Sequence, residues 1–203
     1  MIGGAMTLQN TGRPKAWVYA LAGGAIMAVA AIVLLAMGRT PWCTCGTIRL
    51  WSGDAWGAEN SQQFTDPYSF THITHGVLLY ALLTCVARRR SAAARAMLAV
   101  AAESAWEVLE NTNMVINRYR AATMALGYYG DSVINSMGDI CACMVGVALA
   151  AWLPRRVTIA LVVLLEVTLT AWIRDSLLLN IVMLVHPIEA VRAWQLGPAA
   201  GVR

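Results

Sequence analysis

The stretch Ala96-Met-Leu-Ala-Val-Ala-Ala-Glu103-Ser-Ala-Trp-Glu107-Val-Leu-Glu110-Asn-Thr-Asn-Met114 places three carboxylates inside an otherwise apolar segment. Its length suits a bilayer span of about 20 residues. Glu103, Glu107 and Glu110 follow an i, i+4, i+7 spacing, so a helix puts all three on one face. A charge at the centre of a span costs at least ~2.5–3.5 kcal/mol on insertion scales. Three on one face must pair, bind an ion or line a watery cavity.

Apolar runs recur on either side. Spans are expected over 17–37, 69–87, 96–114, 131–153 and 157–173, in a single transmembrane domain covering 1–203. The composition agrees, with 59% hydrophobic residues, 13% charged and a mean hydropathy of +0.59. Soluble domains average about 25% charged residues, so the fold class is an all-α integral membrane helical bundle of about five transmembrane helices. The run from Trp17 to Met37 exceeds the ~7–15 residue core of a signal peptide and is expected to stay as a first span.

Arginines set the expected orientation. Arg13 and Lys15, Arg88-Arg89-Arg90 with Arg95, and Arg155-Arg156 carry no acid among them. The positive-inside rule places these segments and the N-terminus in the cytoplasm and the C-terminus in the periplasm of a bacterial inner membrane. The net charge of +4 forms no basic stripe, so no nucleic-acid partner is expected. Membrane lipids are the expected surroundings.

The loop 38–68 is polar and turn-rich and is expected outside, with Trp42, Trp51 and Trp56 at the lipid interface. Cys43 and Cys45 lie in it; a bridge between cysteines two apart would be strained, so other pairing or free thiols fit as well. Cys85, Cys141 and Cys143 read as small hydrophobes within spans. The tail 176–197 is broken by His186-Pro187. It is expected to lie on the outer surface as an interfacial helix, or, as a second option, to re-enter and cover the site.

With this orientation the polar groups converge on the outer side. His72 and His75 are i, i+3 near the outer end of the second span; Asp131, Asn135 and Asp139 are i, i+4, i+8 at the start of the fourth. Candidate catalytic residues are His75, Glu107, Asp131 and Asn135, with His75 or Glu107 activating a nucleophile. Candidate metal ligands are His72, His75, Glu107, Glu110 and Asp139, a set suited to Zn, Mn or Fe. A metal-free acid–base site fits the same residues. Arg118, Arg120 and Arg174 are candidate substrate-binding groups for a phosphate or carboxylate. Glu103 lies deeper and could bond a neighbouring span. Glu110-Asn111 could cap the helix end, Trp106 reads as packing or lipid contact, and Tyr128-Tyr129-Gly130 as an interfacial anchor and turn. A purely structural reading has the acids pairing with arginines to lock the bundle.

Asp66-Pro-Tyr-Ser-Phe-Thr-His72-Ile-Thr-His75-Gly, Glu103-Ser-Ala-Trp-Glu107-Val-Leu-Glu110-Asn111 and Tyr129-Gly-Asp131-Ser-Val-Ile-Asn135-Ser-Met-Gly138-Asp139 together resemble a family of small bacterial inner-membrane proteins that carries no assigned activity. A more distant resemblance is to VanZ-like membrane proteins, through His75, Glu107 and the Asp131/Asn135/Gly138 pattern. No Asp-Lys precedes the histidine, and Glu110-Asn111 stands where that family has Gln. The second resemblance implies a cell-envelope setting.

The expected function is hydrolysis or group transfer on an envelope lipid or lipid-linked substrate. The alternative is a non-enzymatic accessory subunit, or a lipid- or antibiotic-binding protein, docking a membrane partner through the tail. A proton or ion pathway ranks third, because 77–86, 96–102 and 141–151 are almost wholly apolar.

Overall fold

The computed structural model describes residues 16–197, so the expectation resting on Arg13 and Lys15 lies outside the described residues. Those residues form eight helices and no strand. They are α1 (Ala16–Ala36), α2 (Ser69–Val86), α3 (Ala92–Glu110), α4 (Asn113–Ala122), α5 (Val133–Trp152), α6 (Arg155–Ile173), α7 (Leu177–Val185) and α8 (Glu189–Leu196).

Four helices are long and apolar enough to cross a membrane: Trp17–Ala36, Ser69–Val86, Val133–Trp152 and Arg155–Ile173. The expected span 96–114 is not among them. Its helix, α3, runs 19 residues, long enough at 1.5 Å per residue, but holds Arg95 with the three glutamates. It also stops at Glu110. Asn111 closes it by donating from its side chain to the Glu107 carbonyl at 3.0 Å, and Thr112 starts a separate helix by accepting from the Val115 N–H. The short helix α4 therefore replaces the expected end of that span.

Small residues bring α2 and α5 close. A Cβ at Gly76 would strike the Cys143 carbonyl, and one at Gly146 would strike that of Ile73. Backbones can approach so tightly only where side chains are absent. Tyr80, Ala99, Cys143 and Val147 seal the apolar half of this packing. Helix α3 lies against α1, α2 and α5, while α6 packs on α2.

The loop 38–68 folds inward instead of standing off the bundle. Residues at the start of α5 expose N–H groups with no intrahelical partner. Carbonyls of Ser61, Thr40 and Pro41 accept from Ser132, Val133 and Ile134 at 3.0, 2.8 and 3.1 Å. Ser61, Gln62, Gln63 and Asp66 are buried as a result, whereas Trp42, Trp51 and Trp56 stay exposed. Cys43 and Cys45 are joined as a disulfide, which resolves the open expectation for that pair.

The single expected tail helix is two, α7 and α8, interrupted where the sequence reads His186-Pro187. Proline lacks the N–H that would continue the first helix. Arg118 donates to the carbonyls of Leu184 and Val185, fastening α4 to α7. The left-handed Arg174 (φ 55°) turns the chain from α6 back across the bundle.

Candidate functional site

The polar stripe of α2 faces that of α3. His72 Nδ1 lies 2.5 Å from Glu103 Oε1 and 3.4 Å from Glu107 Oε1, while its Nε2 is 3.8 Å from Asp139 Oδ2. His75 Nδ1 is 3.3 Å from the same Glu103 oxygen. Glu103, expected to bond a neighbouring span, is thus the shared partner of both histidines of α2. Its depth in the span was legible; which helix it faced was not.

Two groups in this cluster bring one ligand atom per residue within 4.8 Å of one another: His72, His75 and Glu103, and His72, Glu107 and Glu110. Glu107 is 0% exposed and neither of its oxygens has a hydrogen-bond partner. Asp139 is held by the Ser69 hydroxyl at 2.7 Å.

The stripe of Asp131, Asn135 and Asp139 is divided among three partners. Only Asp139 reaches the histidines. Asp131 precedes α5 and is gripped by Asn111, which donates Nδ2 to its carboxylate at 2.8 Å and accepts its backbone N–H at 2.7 Å. Tyr128 adds its hydroxyl at 3.0 Å. Asn135 turns to the loop, donating to the Gln63 carbonyl at 2.8 Å and to Asp66 at 3.3 Å. Asp66 also accepts the N–H groups of Ser61 and Tyr68, both at 2.8 Å, yet burial holds its carboxyl above the ordinary carboxylate range.

Beside the cluster opens a cavity of about 1000 Å³, whose walls include His72, His75, Glu110, Asp131, Asp139 and Arg174. Trp106, expected as packing or lipid contact, lines it and meets His75 edge to face at 5.9 Å. Tyr128, expected as an anchor, lines it too. Arg118 and Arg120 are not in the wall; their guanidinium groups donate to backbone carbonyls, that of Arg120 to Tyr128. Arg174 donates one Nη to the Trp194 carbonyl at 3.0 Å.

The tail supplies the far wall through Leu177, Asn180, Ile181, Leu184 and Gln195. Next to it, Asp175 accepts the Ser176 N–H at 2.9 Å, Gln195 Nε2 at 3.1 Å, the Tyr68 hydroxyl at 3.2 Å and Asn180 Nδ2 at 3.4 Å. Burial pushes its carboxyl up to about 6, against the lowering pull of those four donors. Its partners come from three separate segments, Tyr68, Ser176 with Asn180, and Gln195, so no local interval marks them together.

Comparison with known proteins matches residues 34–197 to the family described as Protein of unknown function (DUF2585), and the chain belongs to that family. Similar curated proteins include the UPF0314 protein of Paracoccus denitrificans, 48% identical over 84% of this chain and 88% of its own length. Those of Brucella anthropi and Sphingopyxis alaskensis are 45% and 43% identical, over 85% and 97% of this chain and 88% and 100% of their own. No solved structure matches the chain.

Proposed function

We propose that this DUF2585 member is an inner-membrane protein whose His72, His75, Glu103, Glu107 and Glu110 cluster binds a divalent cation. In this reading it hydrolyses, or transfers a group from, an envelope lipid or lipid-linked substrate lodged in the adjoining cavity. The observation that carries it is Glu107, wholly buried with no hydrogen bond to either oxygen and only His72, at 3.4 Å, beside it. Two histidines supply at most two positive charges against Glu103, Glu107, Glu110 and Asp139. A buried carboxylate left uncompensated costs several kcal/mol. A cation bound by imidazole and carboxylate would supply the missing charge, and this ligand set suits Zn, Mn or Fe.

Held by these residues, such an ion would supply Lewis-acid chemistry, lowering the pKa of a bound water and polarising a phosphoryl or acyl oxygen. The chain's own groups set the rest. His75, 20% exposed at its side chain and oriented by Glu103 and Trp106, is placed to move a proton at the cavity wall. Arg174 is the guanidinium on that wall and would steady developing negative charge. Asp131 and Tyr128 also line the cavity, while Asn135 holds the loop through the Gln63 carbonyl and Asp66. The resemblance of His75, Glu107 and Asp131/Asn135/Gly138 to the VanZ-like pattern would fit an envelope setting.

The test is elemental analysis of detergent-purified wild type, Glu107→Gln and His75→Ala. About one ion per chain in wild type, lost in both variants, is the expected result. A well-folded wild type free of metal refutes the cation and leaves acid–base catalysis. The broad, partly apolar cavity also favours a second reading, a lipid-binding accessory subunit. Loss of function in His75→Ala without loss of membrane partners separates the enzyme from that subunit.

A further inference from the structure

We infer that the cavity holds a second polar subsite, built by Asp175 and Gln195 with Gln62 on the wall, that recognises a primary amine on the ligand's headgroup. This deepens the reading above by naming a ligand class, and it is tested by binding alone.

The argument starts from unpartnered atoms. Asn60 Oδ1, Gln62 Oε1 and Gln195 Oε1 belong to cavity-lining residues and have no hydrogen-bond partner in the protein. All three are acceptors. Gln62 and Gln195 are each 1% exposed, and their amide orientations are fixed by their other bonds. Gln62 Nε2 donates to the carbonyls of Ser61 and Gly130 at 2.8 and 2.9 Å, and Gln195 Nε2 donates to the Asp175 carboxylate. Carbonyl and carboxylate oxygens cannot donate, so in both side chains the oxygen is the free end. A buried acceptor without a donor costs about 1–3 kcal/mol, and a ligand that brings N–H groups recovers it.

Charge selects the kind of donor. Among the described residues, Glu110, Asp131, Asp139 and Asp175 line the cavity against one arginine, Arg174, one of whose Nη atoms is committed to the Trp194 carbonyl. Asp175 is held by four neutral donors, so its charge is fixed in place without being neutralised. Trp56, Tyr68, Trp106, Tyr119, Tyr128 and Trp172 also line the cavity, and aromatic rings of this kind attract cations. A neutral polyol would answer the acceptors but not the charge. At this subsite an anion would meet the Asp175 carboxylate. An alkylammonium answers acceptors, charge and apolar wall together.

The experiment titrates the purified full chain, in neutral maltoside micelles, with decylammonium, decanol and decyl phosphate, reading emission of the wall tryptophans. Decylammonium should bind at least about tenfold more tightly than either of the others, the range expected for one charge-assisted hydrogen bond. Gln195→Leu should remove about tenfold of that preference and Gln195→Glu should increase it. The exposed Glu189→Gln should leave it unchanged. Equal affinity for decyl phosphate or decanol overturns the inference, as does unchanged preference in folded Gln195→Leu and Gln195→Glu. Metal content is measured on the same samples. Amine preference without metal refutes only the cation reading, and metal without amine preference refutes only this one.

Discussion

Glu107→Met asks whether the buried carboxylate serves a cation or merely sits in the bundle. In metal-free protein the substitution removes a wholly buried group whose oxygens have no hydrogen-bond partner. His72 is not stranded, because Glu103 remains 2.5 Å from Nδ1 and Asp139 3.8 Å from Nε2. Replacing buried ion pairs by apolar groups of similar volume is often neutral or stabilising by up to about 4 kcal/mol. Glu107, unbonded and 3.4 Å from a His72 that keeps its other partners, should follow that trend. At roughly 2–4 °C per kcal/mol for a chain of this size, chelated Glu107→Met should melt several degrees above chelated wild type. An ion at 100 times its Kd then adds about 2.7 kcal/mol to wild type alone. That should raise its Tm by roughly 5–10 °C, enough to narrow or reverse the order. The assay is thermal unfolding of both proteins in one detergent, with chelator and with added Zn, Mn or Fe. Equal responses to metal refute the reasoning. So does a Glu107→Met protein less stable than wild type under chelator, since Glu107 would then stabilise the bundle by itself.

Two further outcomes follow from the geometry. Burial raises the Asp175 carboxyl from its ordinary 3.8 to about 6, so the folded chain binds this proton more tightly than the unfolded one. Its contribution is full below pH ~4 and is lost as pH rises through about 6, a span of about 3 kcal/mol. Unfolding midpoints from pH 4 to 7 should fall in wild type and fall less steeply in Asp175→Asn, where Asp66 and Asp131 still contribute; a parallel fall in both places the slope elsewhere. Gly146→Ala drives a methyl into the Ile73 carbonyl, whereas a Cβ at Gly24 meets nothing within 4 Å. The first should lose about 1–3 kcal/mol and the second should change by less than about 1 kcal/mol, read as the detergent-stable fraction after heating. Similar losses in both would show that the α2–α5 approach is not tight.

Hydropathy and spacing, which are local properties, made much of this protein legible in its sequence. The apolar runs became α1, α2, α5 and α6 because a helix satisfies its own backbone whatever lies beside it. The i, i+3 and i, i+4 intervals put His72 with His75, and Glu103 with Glu107, on common faces for the same reason. Tertiary packing decided which faces met. It set Glu103 between the two histidines, turned Asn135 towards Gln63, 72 residues away, and drew Asp131 to Asn111. It ended the third helix at Glu110, where Asn111 could cap it and hold Asp131 at once. It also fastened Arg118 and Arg120 to carbonyls, and gathered Tyr68, Asn180 and Gln195 around Asp175. Helix rotation and loop placement depend on contacts between distant segments, and no local interval in the chain encodes those.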